Sequence, residues 1–177
     1  MAGGSATLPD ELLLRALGLV MVRWRGVKRW RGAVRVVSRG WRALHDGACT
    51  WLELRNGVTD EGMHALCGRL PALKTLILQK VTSLTADGLR AVGGLTALTY
   101  LDLRYCNVTD EVLHELRDHT ELTTLYLRYC SLVTDVGLQH LKSLTALSDL
   151  SLYYTSTTQA GRNALKAALP ALTIELW

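Results

Sequence analysis

From Leu52 onward, apolar and polar positions obey two rules in turn. Short stretches alternate leucine with another residue: Leu52-Glu-Leu54, Leu76-Ile-Leu78, Leu101-Asp-Leu103, Leu125-Tyr-Leu127, Leu150-Ser-Leu152 and Ile174-Glu-Leu176. They recur after 24, 25, 24, 25 and 24 residues. Alternation with period two predicts strands that send their leucines into a core and the intervening residues to the opposite face. Between them a Thr, often followed by Asp, precedes an apolar run of helical spacing: Thr59-Asp60, Thr85-Ala86-Asp87, Thr109-Asp110, Thr134-Asp135 and Thr157-Thr158. This pattern predicts helices over about 59–69, 85–93, 109–118, 134–142 and 158–168, with a Thr side chain capping each and Asp facing the positive end of the helix dipole. Gly62, Gly88, Gly137 and Gly161 fall in the first turns, where a small residue is expected to let the helix approach the strand layer. They are scattered one per unit, unlike the clustered glycines of a phosphate loop.

A full unit, such as Leu122 to Leu144, reads Leu-x-x-Leu-x-Leu-x-x-Cys, then Val-Thr-Asp-x-Gly-Leu, then Leu-x-x-Leu. This is the pattern of a leucine-rich repeat, and Cys106 and Cys130 make it resemble the cysteine-containing subclass. One unit cannot bury its own apolar face and is stable only when stacked on neighbours. The expected fold is an α/β leucine-rich-repeat solenoid, a short right-handed horseshoe of about six parallel strands and five convex helices with an N-terminal helical cap. Such a shape favours a binding surface over a catalytic pocket.

The outward strand positions form three rows on the expected concave face. The residues expected to hold a protein partner there are Trp51, Glu53, Arg55, Ile77, Tyr100, Asp102, Arg104, Tyr126, Arg128 and Tyr153. Aromatic residues and Arg are enriched at binding hot spots, whereas an ordinary solvated sheet face favours Lys, Glu, Thr and Ser. Mutual stacking along a ladder is the alternative role for the Tyr and Arg side chains. The strand at Thr173 to Leu176 is expected at a sheet edge, a place where a partner or a second copy can pair.

The 24-residue step is lost before residue 48, and the charge changes at the same place. Of a formal net charge of +4, residues 1–48 carry nine basic against three acidic side chains, leaving −2 for the rest. We therefore divide the chain into 1–48, a helical segment or cap, and 49–177, the repeat domain. The N-terminal segment contains Leu8-Pro9-Asp10-Glu11-Leu12-Leu13 and, about thirty residues on, Val37-Ser38-Arg39-Gly40-Trp41-Arg42-Ala43-Leu44. Those words resemble an F-box, although the step between helices usual in that family is replaced by a charged stretch from Val22 to Trp30. The resemblance implies that Leu8, Pro9, Leu12, Leu13 and Trp41 dock a Skp-type linker of a cullin ubiquitin ligase, with the concave face binding the substrate. A non-ligase scaffold, in which residues 8–48 only cap the solenoid, is the alternative.

Residues 23–42 interleave eight basic side chains with Trp24, Trp30 and Trp41, a pattern that also suits phosphate tracking with base stacking. Trp30 and Trp41 share one apolar helix face, which makes nucleic acid the weaker reading. The four cysteines, Cys49, Cys67, Cys106 and Cys130, do not cluster, so a reduced, intracellular protein of cytoplasm or nucleus is expected. The apolar run Leu12 to Val22 is 11 residues and includes Arg15, too short to span a bilayer, and Asp10 and Glu11 argue against a signal peptide. None of the five histidines stands in a metal-ligand spacing, and no nucleophile elbow occurs, so neither an enzyme nor a cofactor or metal is expected.

Overall fold

The computed structural model describes residues 49–54 and 57–176. The expected helices and linker-docking residues of the first 48 positions, the domain boundary there, the basic segment 23–42, Arg55 and Trp177 lie outside the described residues. Within them, three-residue strands and helices alternate: β1 (Trp51–Glu53), α1 (Asp60–Cys67), β2 (Thr75–Ile77), α2 (Ala86–Arg90), β3 (Tyr100–Asp102), α3 (Asp110–Glu115), β4 (Thr124–Tyr126), α4 (Asp135–His140), β5 (Asp149–Ser151), α5 (Gln159–Ala168) and β6 (Thr173–Glu175). Short 3-10 turns prolong α2, α3 and α4 at Ala91–Gly94, Leu116–Asp118 and Leu141–Ser143. The strands form one parallel sheet in the order β1 to β6, with Leu52, Leu76, Leu101, Leu125, Leu150 and Ile174 in register.

Leucine fills this interior because the same inward position recurs in every coil and asks for the same side-chain shape. Leu76, Leu101, Leu125 and Leu150 are fully buried, as are Leu78, Leu103 and Leu127 one step along each strand. Each contributes about 1.5–3 kcal/mol by leaving water. Cys106 and Cys130 close the turns after β3 and β4, where their thiols donate to the carbonyls of Leu78 and Leu103 in the preceding coil at 3.0 and 3.2 Å. Burial pushes the Cys106 thiol up to about 11 and the Cys130 thiol up to about 12. They are packing residues that also satisfy a neighbour's backbone.

The Thr residues cap their helices as expected at Thr59, Thr85, Thr134 and Thr158, each accepting a first-turn N–H at 3.2 Å. The Asp residues do more than meet a helix dipole. Asp60 accepts from the backbone N–H and hydroxyl of Thr85 at 2.9 and 2.6 Å, Asp110 from those of Thr134 at 2.9 and 2.6 Å, and Asp135 from those of Thr158 at 2.8 and 2.6 Å. Each carboxylate ties the start of its own helix to the cap of the next.

This bond corrects the expectation for the glycines. A Cβ on Gly88 would overlap the carboxylate of Asp60, one on Gly137 that of Asp110, and one on Gly161 that of Asp135. The space is left for the previous coil's Asp, not for approach to the strand layer. The one interruption obeys the same rule. Coil two places Ala86 where its neighbours have Asp; coil three accordingly has Val112, buried to 1 %, where the others have Gly. Thr109, which would have bonded the missing carboxylate, makes no side-chain cap.

Candidate protein-binding surface

On the sheet face away from the helices, two of the three outward rows run across the coils in the strand register. Trp51, Thr75, Tyr100, Thr124 and Asp149 are aligned, and so are Glu53, Ile77, Asp102, Tyr126, Ser151 and Glu175. Alternation brings together the predicted residues of β3, β4 and β5. Trp51 and Glu53 stand half-buried on the edge strand β1, three coils away from Tyr126.

Asp102 differs from the expected partner contact. It is 1 % exposed, flanked in its row by Ile77 and Tyr126, and it receives Arg104 through Nε at 2.9 and 3.1 Å and Nη2 at 2.6 Å. The Arg104 backbone N–H adds a further bond at 3.1 Å. A buried carboxylate persists only when paired in this way. Hydrogen bonding to Asp102 pushes the Arg104 guanidinium above its ordinary value. Asp102 therefore positions Arg104, whose guanidinium carbon lies 5.3 Å from the Tyr126 ring centre. Burial, reinforced by the Asp102 charge, raises the Tyr100 phenol and keeps it neutral and able to donate.

Three aromatic residues of the surface escaped the alternation argument. Strands β2 to β5 are each followed by a turn closed by a bond from Val81, Cys106, Cys130 or Thr155 N–H to the carbonyl three residues earlier, at 3.0 to 3.3 Å. The third residue of each turn, Lys80, Tyr105, Tyr129 or Tyr154, has φ of 62°, 61°, 62° or 53°. Such left-handed backbone normally selects Gly or Asn. The N–H groups of Lys80, Tyr105 and Tyr129 bond to the carbonyls of Arg104, Arg128 and Tyr153 in the next coil at 2.8 to 2.9 Å, so the sheet ladder runs on through the turn. The result is a column of parallel rings: Tyr105 on Tyr129 at 4.3 Å and 10°, Tyr129 on Tyr154 at 4.8 Å and 9°. The legible signal was the repeated Arg-Tyr-Cys at 104–106 and 128–130, followed by Tyr153-Tyr154 at the same step.

All six tyrosines of the chain belong to this region. Tyr100 meets Tyr126 edge-on at 5.6 Å, and Tyr153 meets Tyr129 and Tyr154 edge-on at 5.6 and 4.5 Å. Each cation lies over the tyrosine of the following coil: Lys80 over Tyr105 at 5.2 Å, Arg104 over Tyr126 and Arg128 over Tyr153 at 5.3 Å. Contacts of these two kinds contribute about 0.5–1.5 kcal/mol each, enough to hold the rings in place without burying them. Tyr105, Tyr129 and Tyr154 remain 37 %, 38 % and 63 % exposed. Leu132 and Val136, also exposed, follow in the same coil as Tyr129.

The helix face offers no comparable arrangement. Arg90, Asp110, Glu111, His114, Glu115, Val136 and His140 line a shallow, open depression there. His114 and His140 meet edge-on at 4.8 Å, and Arg117 lies 2.7 Å from the His114 ring. His119 is buried in the core, with Nε2 at 3.2 Å from the Val92 carbonyl. Among the described residues no three metal-ligating side chains converge, and no helix is long and apolar enough to cross a membrane.

Comparisons with known proteins agree with this geometry. A family described as Leucine Rich repeat matches residues 94–111. No curated protein matches the chain. Solved structures that resemble it include two internalins of Listeria monocytogenes. The internalin inlF is 22 % identical over 68 % of this chain and 32 % of its own, with a TM-score of 0.52. The internalin C2 is 26 % identical over 71 % of this chain and 50 % of its own, with a TM-score of 0.56. The chain thus spans half or less of the length of these structures. The repeated sequence unit, the single parallel ladder and these likenesses show the described residues to form an α/β leucine-rich-repeat solenoid.

Proposed function

We propose that this chain is the substrate-recognition subunit of a cullin-type ubiquitin ligase, holding a protein on the tyrosine- and arginine-lined sheet face and a Skp-type linker on its N-terminal segment. The observation that carries the recognition half is the convergence of all six tyrosines and three cations on one side of four consecutive coils. Rigid aromatic rings supply contact area at little entropic cost, and a surface already stacked loses little freedom on binding. The linker half is supported by the F-box-like words at residues 8–13 and 37–44. The four unpaired, buried cysteines favour a reducing compartment, cytoplasm or nucleus. In this role the chain performs no chemistry; it raises the local concentration of substrate beside the ligase.

The test is co-purification of the full chain with a Skp-type linker subunit, beside a Leu8→Asp/Trp41→Ala variant checked for folding by circular dichroism. A one-to-one complex lost in a folded variant supports the adaptor role. No complex with the folded wild-type chain would overturn it and leave a leucine-rich-repeat scaffold.

A further inference from the structure

The tyrosine patch is not electrically neutral, and its charge is placed at a definite spacing. Of its three cations, Arg104 is neutralised by the buried Asp102 at 2.6 Å. Lys80 and Arg128 have ring contacts but no carboxylate partner among the described residues. Each leaves one positive charge at the rim of an aromatic column that contains no acid. They lie two coils apart, about 10 Å at about 4.8 Å per parallel strand. In a polyproline II segment, which has three residues per turn, residues i and i+3 share one face about 9 Å apart, at about 3.1 Å per residue.

We propose that the occupant of this surface is an acidic segment of a partner protein in the polyproline II conformation, laid across the coils with carboxylates at i and i+3 on Lys80 and Arg128. The intervening side chains pack on the exposed faces and edges of Tyr105 and Tyr129. The inference rests on the recognition role assigned above to this face and adds the chemistry of what it recognises. Because both cations already lie over tyrosine rings at 5.2 and 5.3 Å, they are held in place before the partner arrives. Register across the coils then comes from charge, while residence comes from ring contact.

The test pans a library of randomised nine-residue peptides on the full chain and measures selected peptides by fluorescence anisotropy. The comparison proteins are Lys80→Asp/Arg128→Glu, the milder Lys80→Asn/Arg128→Gln, and Tyr129→Ala, all first shown to be folded. Asp and Asn suit the positive φ at position 80. The expected result is enrichment of Asp or Glu three residues apart. Affinity should fall about tenfold or more on charge reversal, fall less on neutralisation, and weaken from low to high salt. Selected peptides without acids that need Tyr129 but ignore both charge variants would overturn the acidic partner and leave the recognition surface standing. Failure to select any peptide dependent on Tyr129 would overturn both. Binding of a twenty-residue oligo-dT that is lost in the charge variants, in the absence of acidic peptides, would replace the peptide with nucleic acid and likewise refute the proposal.

Discussion

Exchanging Ala86 and Val112 for the pair found in the neighbouring coils should show that coils are locked by a carboxylate entering a glycine-made space. Val112→Gly alone empties a buried site and puts glycine in a helix, a loss of about 3 kcal/mol. Ala86→Asp alone drives a carboxylate against the Val112 side chain and should lose about 2 kcal/mol. If the two were independent, the double variant would lose about 5 kcal/mol. Instead the new carboxylate can take the vacated space and accept the N–H and the hydroxyl of Thr109, as Asp60 does from Thr85 at 2.9 and 2.6 Å. Two bonds to an ionised acceptor contribute about 1.5 kcal/mol each, so the double variant should lose only about 2 kcal/mol. The coupling, about 3 kcal/mol, is read from urea unfolding of the four proteins followed by circular dichroism, with m-values compared to check that the transition is unchanged. A double variant within about 0.5 kcal/mol of the additive sum would refute the account.

His119 stands where the neighbouring coils have Leu95 and Leu144; it is buried and its Nδ1 is unpartnered. Desolvation lowers its folded value below the ordinary 6.5 despite backbone bonds that act the other way. Protonation therefore favours the unfolded chain, and stability should decline as pH falls below about 6.5. His119→Leu should gain about 1 kcal/mol at pH 7, since Val92 O keeps the Leu95 N–H at 2.9 Å, and the wild-type decline should flatten in a pH series of urea midpoints. The Thr158 hydroxyl and N–H hold the Asp135 carboxyl below its ordinary 3.8. Its contribution is thus present above that value and lost as pH falls through the lower folded one; Asp135→Asn should be less stable than wild type at pH 7, and the difference should shrink as pH is lowered below 3.8. Burial lifts Cys67 and Cys130 to about 12 and Cys106 to about 11, so iodoacetamide should leave these thiols unmodified in the native protein and label them at the rate of global opening. Labelling of Cys106 that is unaffected by stabilising the fold would contradict this.

The repeat architecture was legible because one spacing governs both faces of each coil. Leu76, Leu101, Leu125 and Leu150 are at once in phase along the sequence and in register across the sheet. The caps at Thr59, Thr85, Thr134 and Thr158 were legible for a similar reason, being local to their helices. What alternation could not supply was depth and direction. It placed Asp102 on the outward face, but the bulk of Ile77 and Tyr126 on either side buries it. It stopped at the end of each strand, whereas a positive φ at Tyr105, Tyr129 and Tyr154 gathers their rings into one column beside the rows. The role of Gly88, Gly137 and Gly161 was hidden because it depends on the preceding coil, at a different position in the unit. Reading Val112 together with Ala86 would have exposed it.

Among the described residues, four with side chains occupy left-handed backbone, Lys80, Tyr105, Tyr129 and Tyr154. Glycine would relieve about 1 kcal/mol at each. The rings offset that strain: Tyr129 makes three ring contacts, with Tyr105, Tyr153 and Tyr154, at about 0.5–1.5 kcal/mol each. Substituting glycine at Tyr129 removes strain and stacking together, so thermal stability is expected to fall less than partner affinity at that residue. An engineered library ranked by melting temperature alone would understate the loss of the surface. The turns after the strands are where this module trades robustness for recognition.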